Sequence, residues 1–508
     1  MMPKYKIFSA IELGSAAVIM KIAQISRKNG VEIIESVRYN ISLGSEVYRC
    51  GRISEETAEE ICGCLEKCTE IMKGLGAEEY VCYATTAVRE AENKDYFIDR
   101  IKIRCNIKVR IISSAEESFL HNKAFALGCA EFDEIIARGA VIVDVNSGNT
   151  QVSYYDCAQL KFSQAMPIGS LRVLELLGDV SSSPIGFSGL LEDYIRTRVE
   201  NDKATFFKTG GYAYIAMTGS QAGVIKRICG DENGEVTDRQ MEQVYELLKN
   251  SHPEEISEKY GISYGEAELL FPTVIIYRMF AANQCGKSIM LQEISTASGM
   301  CVEFAEKNGY THTRHRFTND IISAARSCAA RFNVTESSSR AAEEYAEVIF
   351  NSLSRRFGLT KQQLLLLKLA VIFADTGKYI NLNGYAMHSC RIVKSNPILG
   401  VQKEYLNVVA YAVGMLEGEI EDEEYRYLPL EERVLASKLS AVLRVARAMD
   451  VSHKSKLDDL KASVKDGVLR LSADTKSDIT VEKLAFEDAV PFFKEVFGLK
   501  AELTARKK

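Results

Sequence analysis

Two short acidic loops carry the side chains that could do chemistry. In "IELGSAA" (11–17) Glu12 ends an apolar run, and in "VDVNSGNTQ" (143–151) Asp144 does the same. Gly14 lies two residues after Glu12, and Gly148 lies four residues after Asp144. Glycine allows a tight turn whose backbone N–H groups face an anion. The two loops could clamp one phosphate between them, although each could also be a plain β-turn.

An arginine that could bind phosphate lies between the two loops. The stretch "ATTAVREAEN" (84–93) reads as a strand and short hydroxyl residues, with Arg89 at a helix start. Arginine is the side chain best suited to a bidentate contact with phosphate. Arg89 could equally form a surface ion pair with Glu90 or Glu92.

A pair of glutamates follows in "IISSAEESFLHNKAF" (111–125). Ser113 or Ser114 can cap the helix that starts here, and Glu116 and Glu117 fall in its first turn. The helix macrodipole favours acids at this position, which explains them without any chemistry. Beside a phosphate cleft, such a carboxylate could instead activate water or hold a metal ion.

The elements that would position these residues form an internal repeat. Residues 4–43 read as strand, turn, strand, turn and strand, and residues 140–170 repeat that order. Glu12 and Asp144 then hold equivalent places at the end of the first strand, with a period of about 130 residues. Two such α/β units would face each other across a cleft, and clefts between domains are favoured ligand sites.

Apolar periodicity predicts the remaining elements. In the first unit we expect strands at 78–90 and 109–113, and helices at 54–74, 94–104 and from 115. A helix at 170–178 follows the second copy of the repeat. Further on, six helices are predicted at 318–331, 336–356, 361–374, 385–396, 402–418 and 430–449. The tail reads as strand, turn, strand, helix and strand, so we predict domains at 1–128, 129–308, 309–460 and 461–508.

The composition of the whole chain restricts the class of protein. A net charge of −6 over 508 residues argues against a general affinity for nucleic acid. No apolar run approaches the ~20 residues of a membrane helix, so no membrane contact is expected. The 13 cysteines fit reduced thiols and a cytoplasmic location. Cys62, Cys64 and Cys68 form one cluster, whose spacing favours packing over a zinc site.

In this order, the motifs resemble those of the exopolyphosphatase and guanosine pentaphosphate phosphatase family. That family belongs to the superfamily of acetate kinases, sugar kinases, heat-shock proteins and actin. Its loops D-x-G-S-N-S and D-x-G-G-G-S-T-E are similar to "ELGSAA" and "DVNSGNTQ". Its A-T-x-x-x-R-x-A and I-S-G-x-E-E-A-R-L elements are similar to "ATTAVREA" and "ISSAEESFL". Two more segments look like "QAMPIGSLR", ending at Arg172, and "AMTGSQAG" (216–223).

The resemblance implies both a fold and an activity. The fold would be α/β, with two actin-like (ribonuclease H-like) domains flanking a cleft, then an all-α HD-like domain and a small α/β C-terminal domain. The activity would be hydrolysis of the terminal phosphate of inorganic polyphosphate, or of guanosine pentaphosphate, by metal- and glutamate-assisted attack of water. The resemblance also implies Mg²⁺ or Mn²⁺ as cofactor and a homodimer as the assembly.

The family roles carry over residue by residue. Glu117 would be the catalytic base, and Arg89 would act in catalysis and bind phosphate. Glu12 and Asp144 would hold the metal. The phosphate loops would consist of Gly14, Ser15, Ser147, Gly148, Asn149 and Thr150.

Departures from the family pattern keep a second interpretation open. Glu12 stands where Asp is typical, and Gln151 replaces the final acid of the second loop. Other changes replace polar or glycine positions, namely Ala16, Ala17, Asn146, Ser147 and Gln221. Because each lost transition-state contact could cost ~3 kcal/mol, the alternative is a weak or inactive member that binds polyphosphate or a guanosine tetra- or pentaphosphate as a sensor. A sugar or acetate kinase is less favoured, since "TGSQAG" makes a poor adenosine site.

The helical domain lacks the ligands of a working HD metal site. Aligned on the HD pattern, the first His, the His-Asp pair, the next His and the final Asp fall at Ser338, Ala374, Asp375, Ala412 and Arg447. One carboxylate opposed by an arginine holds a metal poorly, so we expect no metal there. His388 matches a non-ligand position and is expected to pack.

Overall fold

The computed structural model describes residues 5–178, 186–206, 212–230, 235–281, 288–310, 315–418, 420 and 422–507. Contacts within the chain divide it into two compact units, Met1–Phe317 and Thr318–Lys508. Each unit is described by itself below. The prediction of four domains stays a prediction.

The first unit begins with a five-stranded sheet of order β3-β2-β1-β4-β5. Its strands are β1 (Tyr5–Leu13), β2 (Ala17–Ser26), β3 (Gly30–Asn40), β4 (Glu79–Ala84) and β5 (Val109–Ile111). The helices of this part are α1 (Leu43–Cys50), α2 (Glu55–Gly74), α3 (Thr86–Glu90), α4 (Lys94–Cys105), α5 (Ser114–Gly128) and α6 (Phe132–Ala137). Alternating apolar residues in β1 and β2 bury one face of the sheet under α2 and α4.

A six-stranded sheet follows in the same unit, with the order β10-β11-β9-β6-β7-β8. Its strands are β6 (Ala140–Val145), β7 (Thr150–Asp156), β8 (Gln159–Met166), β9 (Tyr214–Thr218), β10 (Glu235–Val236) and β11 (Ser288–Gln292). Its helices are α7 (Ser170–Leu177), α8 (Gly186–Phe206), α9 (Ala222–Cys229), α10 (Asp238–Asn250), α11 (Pro253–Tyr260), α12 (Tyr264–Ala281) and α13 (Thr296–Lys307).

The internal repeat predicted from the sequence is confirmed. In both sheets the first three strands of the copy run antiparallel to their neighbours, as β1-β2-β3 and β6-β7-β8. The first strand of each copy also pairs in parallel with a later strand, β1 with β4 and β6 with β9. Glu12 and Asp144 are the penultimate residues of β1 and β6. Equivalent strand ends therefore carry the two acids.

Two local predictions are wrong. The strand expected at 78–90 ends at Ala84, and Thr86–Glu90 form helix α3. The run "TAVRE" contains good helix formers, and their propensity outweighs the apparent alternation. The third strand, expected to run to 43, ends at Asn40. Helix α1, which follows from Leu43, was not predicted, and its left-handed C-cap Gly51 ends it where the chain turns.

Helix α13 brings the end of the first unit back to the first sheet. Phe304 of this helix stacks on Phe8 of β1, with ring centroids 3.9 Å apart. Ala297 and Met300 are buried in the same cluster, together with Leu120 of α5. The N-terminus of α13 therefore lies beside the carboxyl end of β1, where Glu12 is located.

The predicted cysteine packing agrees with the structure. Cys62, Cys64 and Cys68 lie in the core of the first sheet with Cys82 and Cys105. Burial raises the pKa of the Cys68 thiol to about 12. These thiols are therefore protonated at neutral pH and act as small apolar side chains.

The second unit is helical and ends in a small sheet. Its helices are α14 (Phe317–Ala330), α15 (Glu336–Phe357), α16 (Lys361–Phe373), α17 (Tyr385–Ser395), α18 (Lys403–Gly414), α19 (Glu423–Tyr427), α20 (Leu430–Ala448) and α21 (Thr480–Phe497). The strands β12 (Asp458–Lys465), β13 (Val468–Thr475) and β14 (Lys500–Lys507) form the sheet in that order. The six predicted helices and the predicted order of the tail are confirmed. Across the described ranges, every helix is too short or too polar to cross a bilayer.

Candidate active site

The carboxylate of Asp144 lies at the centre of a hydrogen-bond network. Its Oδ2 atom is 2.5 Å from Nδ1 of His121 and accepts a hydrogen bond from the Asn146 amide at 2.7 Å. Its Oδ1 atom accepts from the Thr218 hydroxyl at 3.0 Å. The second loop therefore begins from a side chain that is tied to helix α5 and to strand β9.

The first loop is tied to its surroundings in a comparable way. The N–H of Gly14 donates to the carbonyl of Ala17 at 3.0 Å, which closes a tight turn. The Ser15 hydroxyl is 2.7 Å from the hydroxyl of Tyr48 on α1. Glu12 accepts a hydrogen bond at 3.2 Å from the N–H of Ala297, in the first turn of α13.

The second loop is a closed turn braced by helix α7. The N–H of Asn146 donates to the carbonyl of Asn149 at 2.9 Å, and the carbonyl of Ser147 accepts from the N–H groups of Leu171 and Arg172 at 3.0 Å. Gly169 precedes the helix, and a Cβ there would lie 2.4 Å from the backbone of Gly148. Only glycine permits this approach, so the turn and the helix form one packed element.

Helix α5 presents Glu117 to the same region. Ser113 and Glu116 form a capping box that fixes the start of the helix, and Glu116 also pairs with Arg110 at 2.6 Å. Glu117 is 3% exposed, and its Oε2 atom has no hydrogen-bond partner among the described residues. The guanidinium of Arg89 lies 3.7 Å from this oxygen.

Arg89 is held between helix α3 and the start of α5. It donates to the carbonyl of Ile112 at 2.6 Å and to the hydroxyls of Thr86 and Ser114 at 3.0 and 2.9 Å. The alternative of a surface ion pair with Glu90 or Glu92 is wrong, because those acids pair with Arg172 and Arg52.

Burial and charge set the protonation of the two central groups on α5. Burial raises the pKa of Glu117, and Arg89 and His121 only partly offset this effect. Burial by itself would lower the pKa of His121, but the Asp144 carboxylate, with Glu117 and Glu12 further off, raises it to about 9. Three acids and one imidazole thus act on one another here.

The cleft between the two loops is narrow, with a volume of about 40 Å³. Of the predicted site residues, Glu12, Gly14, Ser15, Ser147 and Gly148 line it. The others, Arg89, Glu117, Asp144, Asn149 and Thr150, are not among the residues that line it. Thr150 in particular donates its hydroxyl to the carbonyl of Ile168 at 2.5 Å.

Sequence reasoning did not select three residues that the structure places at the site. They are His121, Thr218 and Tyr48. His121 could have been found, because it lies four residues after Glu117 and so shares its helix face. Thr218 lies in the segment "AMTGSQAG" quoted above, but its contact with Asp144 depends on strand pairing. Tyr48 reaches the site through helix packing, and no local pattern marks it.

The two predicted metal ligands do not fit a divalent ion as a pair. Both oxygens of Asp144 already accept hydrogen bonds, and one oxygen of Glu12 accepts the N–H of Ala297. Within the described residues, no group of three or more His, Cys, Asp or Glu side chains could hold a metal ion. The residue opposite Asp144 in strand β7 is Gln151, a neutral amide.

In the second unit, two of the five predicted HD positions, Asp375 and Arg447, form an ion pair. Asp375 receives two hydrogen bonds from the Arg447 guanidinium at 3.0 and 2.7 Å, and Lys378 lies 2.9 Å away. Ser338 and Arg447 line a cavity of about 370 Å³, and Ala412 is fully buried. Arginine thus supplies the positive charge that a metal would otherwise give to Asp375.

The fold, the paired loops and the order of the motifs define a member of a known family. The chain belongs to the Ppx/GppA phosphatase family, whose sequence model matches residues 18–307. The model of Ppx/GppA phosphatase domain III matches residues 322–485.

Individual relatives are distant. The bifunctional 3-dehydroquinate synthase/phosphatase of Fusobacterium nucleatum is 26% identical over 181 residues, which are 34% of this chain and 27% of that protein. The guanosine-5'-triphosphate,3'-diphosphate pyrophosphatase of Photobacterium profundum is 20% identical over 464 residues, 89% of this chain and 88% of that protein. A crystal structure of an exopolyphosphatase from Cytophaga hutchinsonii shares the fold, with a TM-score of 0.53 and 15% identity over 59% of this chain and 98% of that one.

Proposed function

We propose that this protein is a phosphoanhydride hydrolase that removes the terminal phosphate from inorganic polyphosphate or from guanosine pentaphosphate. The observation that carries this proposal is the buried Oε2 atom of Glu117, which has no hydrogen-bond partner among the described residues and faces Arg89 at 3.7 Å. A carboxylate kept free beside two anion-binding loops suits a general base for water. The family relationship supports the same class of reaction.

In the proposed reaction, a water oxygen attacks the terminal phosphorus while Glu117 accepts a proton from that water. The bond from phosphorus to the bridging oxygen breaks, and the shortened polyphosphate leaves with the electron pair of that bond. Arg89 would orient the terminal phosphate and offset the charge that develops on it. Its anchors on Ile112, Thr86 and Ser114 fix its position before the substrate enters.

The two loops would bind the phosphate chain with Gly14, Ser15, Ser147, Gly148 and Asn149. A cleft of about 40 Å³ has room for a few water molecules and not for a chain of phosphates. The loops must therefore separate before a phosphate enters. Two ion pairs, Arg172–Glu90 and Arg49–Glu175, each 2.6 Å long, connect helix α7 to helices α3 and α1. Both pairs would have to break for the loops to separate.

The dependence on Mg²⁺ or Mn²⁺ remains a prediction. Since Glu12 and Asp144 do not fit a resident metal as a pair, we propose that the cation enters bound to the polyphosphate, as part of the substrate. The cytoplasmic location, the homodimer and the lack of nucleic-acid or membrane partners likewise remain predictions.

The test is a phosphate-release assay with polyphosphate and guanosine pentaphosphate side by side, with Mg²⁺ present. We expect release from one of them, and we expect Glu117→Gln to lower kcat by a factor of about 10² or more. Glu116→Gln is the matched control, because glutamine still accepts the cap hydrogen bond and leaves Glu117 unchanged. No release from either substrate would reject the hydrolase, and equal loss in both variants would reject Glu117 as its base.

One observation favours the second candidate, a phosphate-binding sensor. The side chains of Asn149, Gln151 and Gln221 are buried, and each has polar atoms without a partner in the described part of the chain. Neutral amides can bind an anion without activating water. Calorimetry that detects tight binding of tripolyphosphate, together with an assay that detects no release, would select this function.

A further inference from the structure

We propose that His121 occupies the place of a divalent cation at Asp144, so that Asp144 orients the second loop and does not ligate metal. The imidazole lies 2.5 Å from Oδ2 of Asp144, as noted above. This contact is the shortest in the network, and both of its side chains are buried. His121 is thus a positioning residue that acts through Asp144.

Most of the hydrogen-bond acceptor positions of the Asp144 carboxylate are occupied. An ionised carboxylate has about four acceptor positions. Three of them receive His121, Asn146 and Thr218 at 2.5, 2.7 and 3.0 Å. Magnesium requires an oxygen at about 2.0–2.1 Å in near-ideal octahedral geometry. Both positions of Oδ2 are filled by His121 and Asn146, so a metal ion at Oδ2 would have to displace one of them.

His121 is held so that displacement is difficult. Its second nitrogen, Nε2, is 2.9 Å from the hydroxyl of Thr296, and its side chain is almost fully buried. Thr296 begins helix α13, which packs against α5 and the first sheet. The imidazole thus bridges two elements, and its rotation would break contacts to both.

The residues around Asp144 do not compensate for this loss of a ligand. Gln151 lies opposite Asp144 in the antiparallel β6–β7 register, so both side chains lie on one face of the sheet. Thr218 lies beside Asp144 in the parallel β6–β9 register. An amide and a hydroxyl are weaker metal ligands than a carboxylate, so the two strand neighbours of Asp144 add no second acid.

The proposal concerns the site without its phosphate ligand, and it does not rest on turnover. The test measures Mn²⁺ binding to the full-length protein by the electron paramagnetic resonance signal of free Mn²⁺, with no phosphate present. We expect the wild-type protein and Asp144→Asn to bind Mn²⁺ equally within a factor of two. We expect His121→Ala to bind Mn²⁺ at least tenfold more tightly, and the added Asp144→Asn change to abolish that gain.

Two variants of His121 keep the test decisive. In His121→Asn the amide nitrogen takes the place of Nδ1 and still donates to Asp144, so no gain is expected, whereas the short, donor-free His121→Val replaces His121→Ala if the latter unfolds. A tenfold loss of Mn²⁺ binding in Asp144→Asn alone would overturn the proposal, and so would the absence of any gain in both short variants. Loss of phosphate release in every protein would count against the hydrolase and not against this inference.

Discussion

At the residue scale, Glu117 shows how burial prepares a side chain for acid–base chemistry. Burial on α5 raises the pKa of its carboxyl, and the opposing charge of Arg89 partly offsets this rise. A base is most useful when its pKa approaches the working pH. The raised pKa of Glu117 is a shift in that direction.

This shift predicts the acid limb of the pH profile. Glu117 must be deprotonated to accept a proton, so kcat/KM should rise with pH through its pKa, which lies above the ordinary 4.5. Arg89→Gln removes the charge that lowers this pKa, so the limb should move to higher pH. The measurement is kcat/KM for polyphosphate from pH 4 to 9 in both proteins. A limb that stays in place in Arg89→Gln would contradict this account.

A second residue-scale prediction concerns the ion pair in the second unit. Burial raises the pKa of Asp375, but Arg447 and Lys378 outweigh it and lower the pKa to about 2. The pair therefore stabilises the fold above the ordinary pKa of 3.8, and this stability is lost as the pH falls through about 2. At neutral pH, Asp375→Asn should lower the free energy of unfolding by about 3 kcal/mol, because Arg447 keeps its buried charge.

Calorimetric unfolding of the full chain would measure this loss. Glu347→Gln is the control, because Glu347 pairs with Lys368 while 39% of its side chain is exposed. That change should cost less than about 1 kcal/mol. Equal losses in the two variants would show that the Asp375–Arg447 pair has no special role.

At the element scale, one capping box fixes the helix that carries two central side chains of the site, Glu117 and His121. Ser113 starts helix α5, which carries Glu117 and His121 one turn apart. The cap of α2 shares one of these bonds, because Ser54 accepts from the N–H of Thr57 at 3.1 Å, but it lacks the reciprocal bond of a capping box. Both serine hydroxyls thus accept from the backbone N–H three residues on, and only one of them begins the helix that carries Glu117.

The two caps give a matched pair of variants. Ser113→Ala and Ser54→Ala should each lower the free energy of unfolding by about 1 kcal/mol. Only Ser113→Ala should also lower phosphate release, because fraying of the first turn displaces Glu117. Chemical denaturation and the release assay would measure the two effects. Equal activity in both variants would show that the cap does not position the base.

At the scale of the whole molecule, the site belongs to the first unit. The partners of Glu12, Arg89, Glu117, His121 and Asp144 that the structure describes are all found before residue 318. The loops, α5 and the start of α13 are therefore complete without the second unit.

We accordingly expect residues 1–317, produced alone, to fold. The fragment should unfold cooperatively on heating and show the Mn²⁺ behaviour of the full chain, because its cores and site contacts are internal. Circular dichroism during heating and the Mn²⁺ titration would test this. A fragment that aggregates or unfolds without a transition would show that its stability depends on the second unit.

Local patterns in the sequence determined much of this protein. Alternation and turn residues predicted the repeat that puts Glu12 and Asp144 at equivalent strand ends, and helical periodicity predicted the second unit. The order of the motifs indicated the family. These features depend on neighbours within a few residues, so two strand ends were misread and the short helix α1 was not predicted.

The tertiary structure alone decided what the site residues contact. His121 meets Asp144 across 23 positions and Thr296 across 175, while Glu12 accepts from Ala297 across 285. The burial that raises the pKa of Glu117 likewise depends on α13 and the two sheets packing around α5. Such contacts follow from strand register and helix packing, which no stretch of sequence specifies by itself, and they determine whether Asp144 is free for a metal.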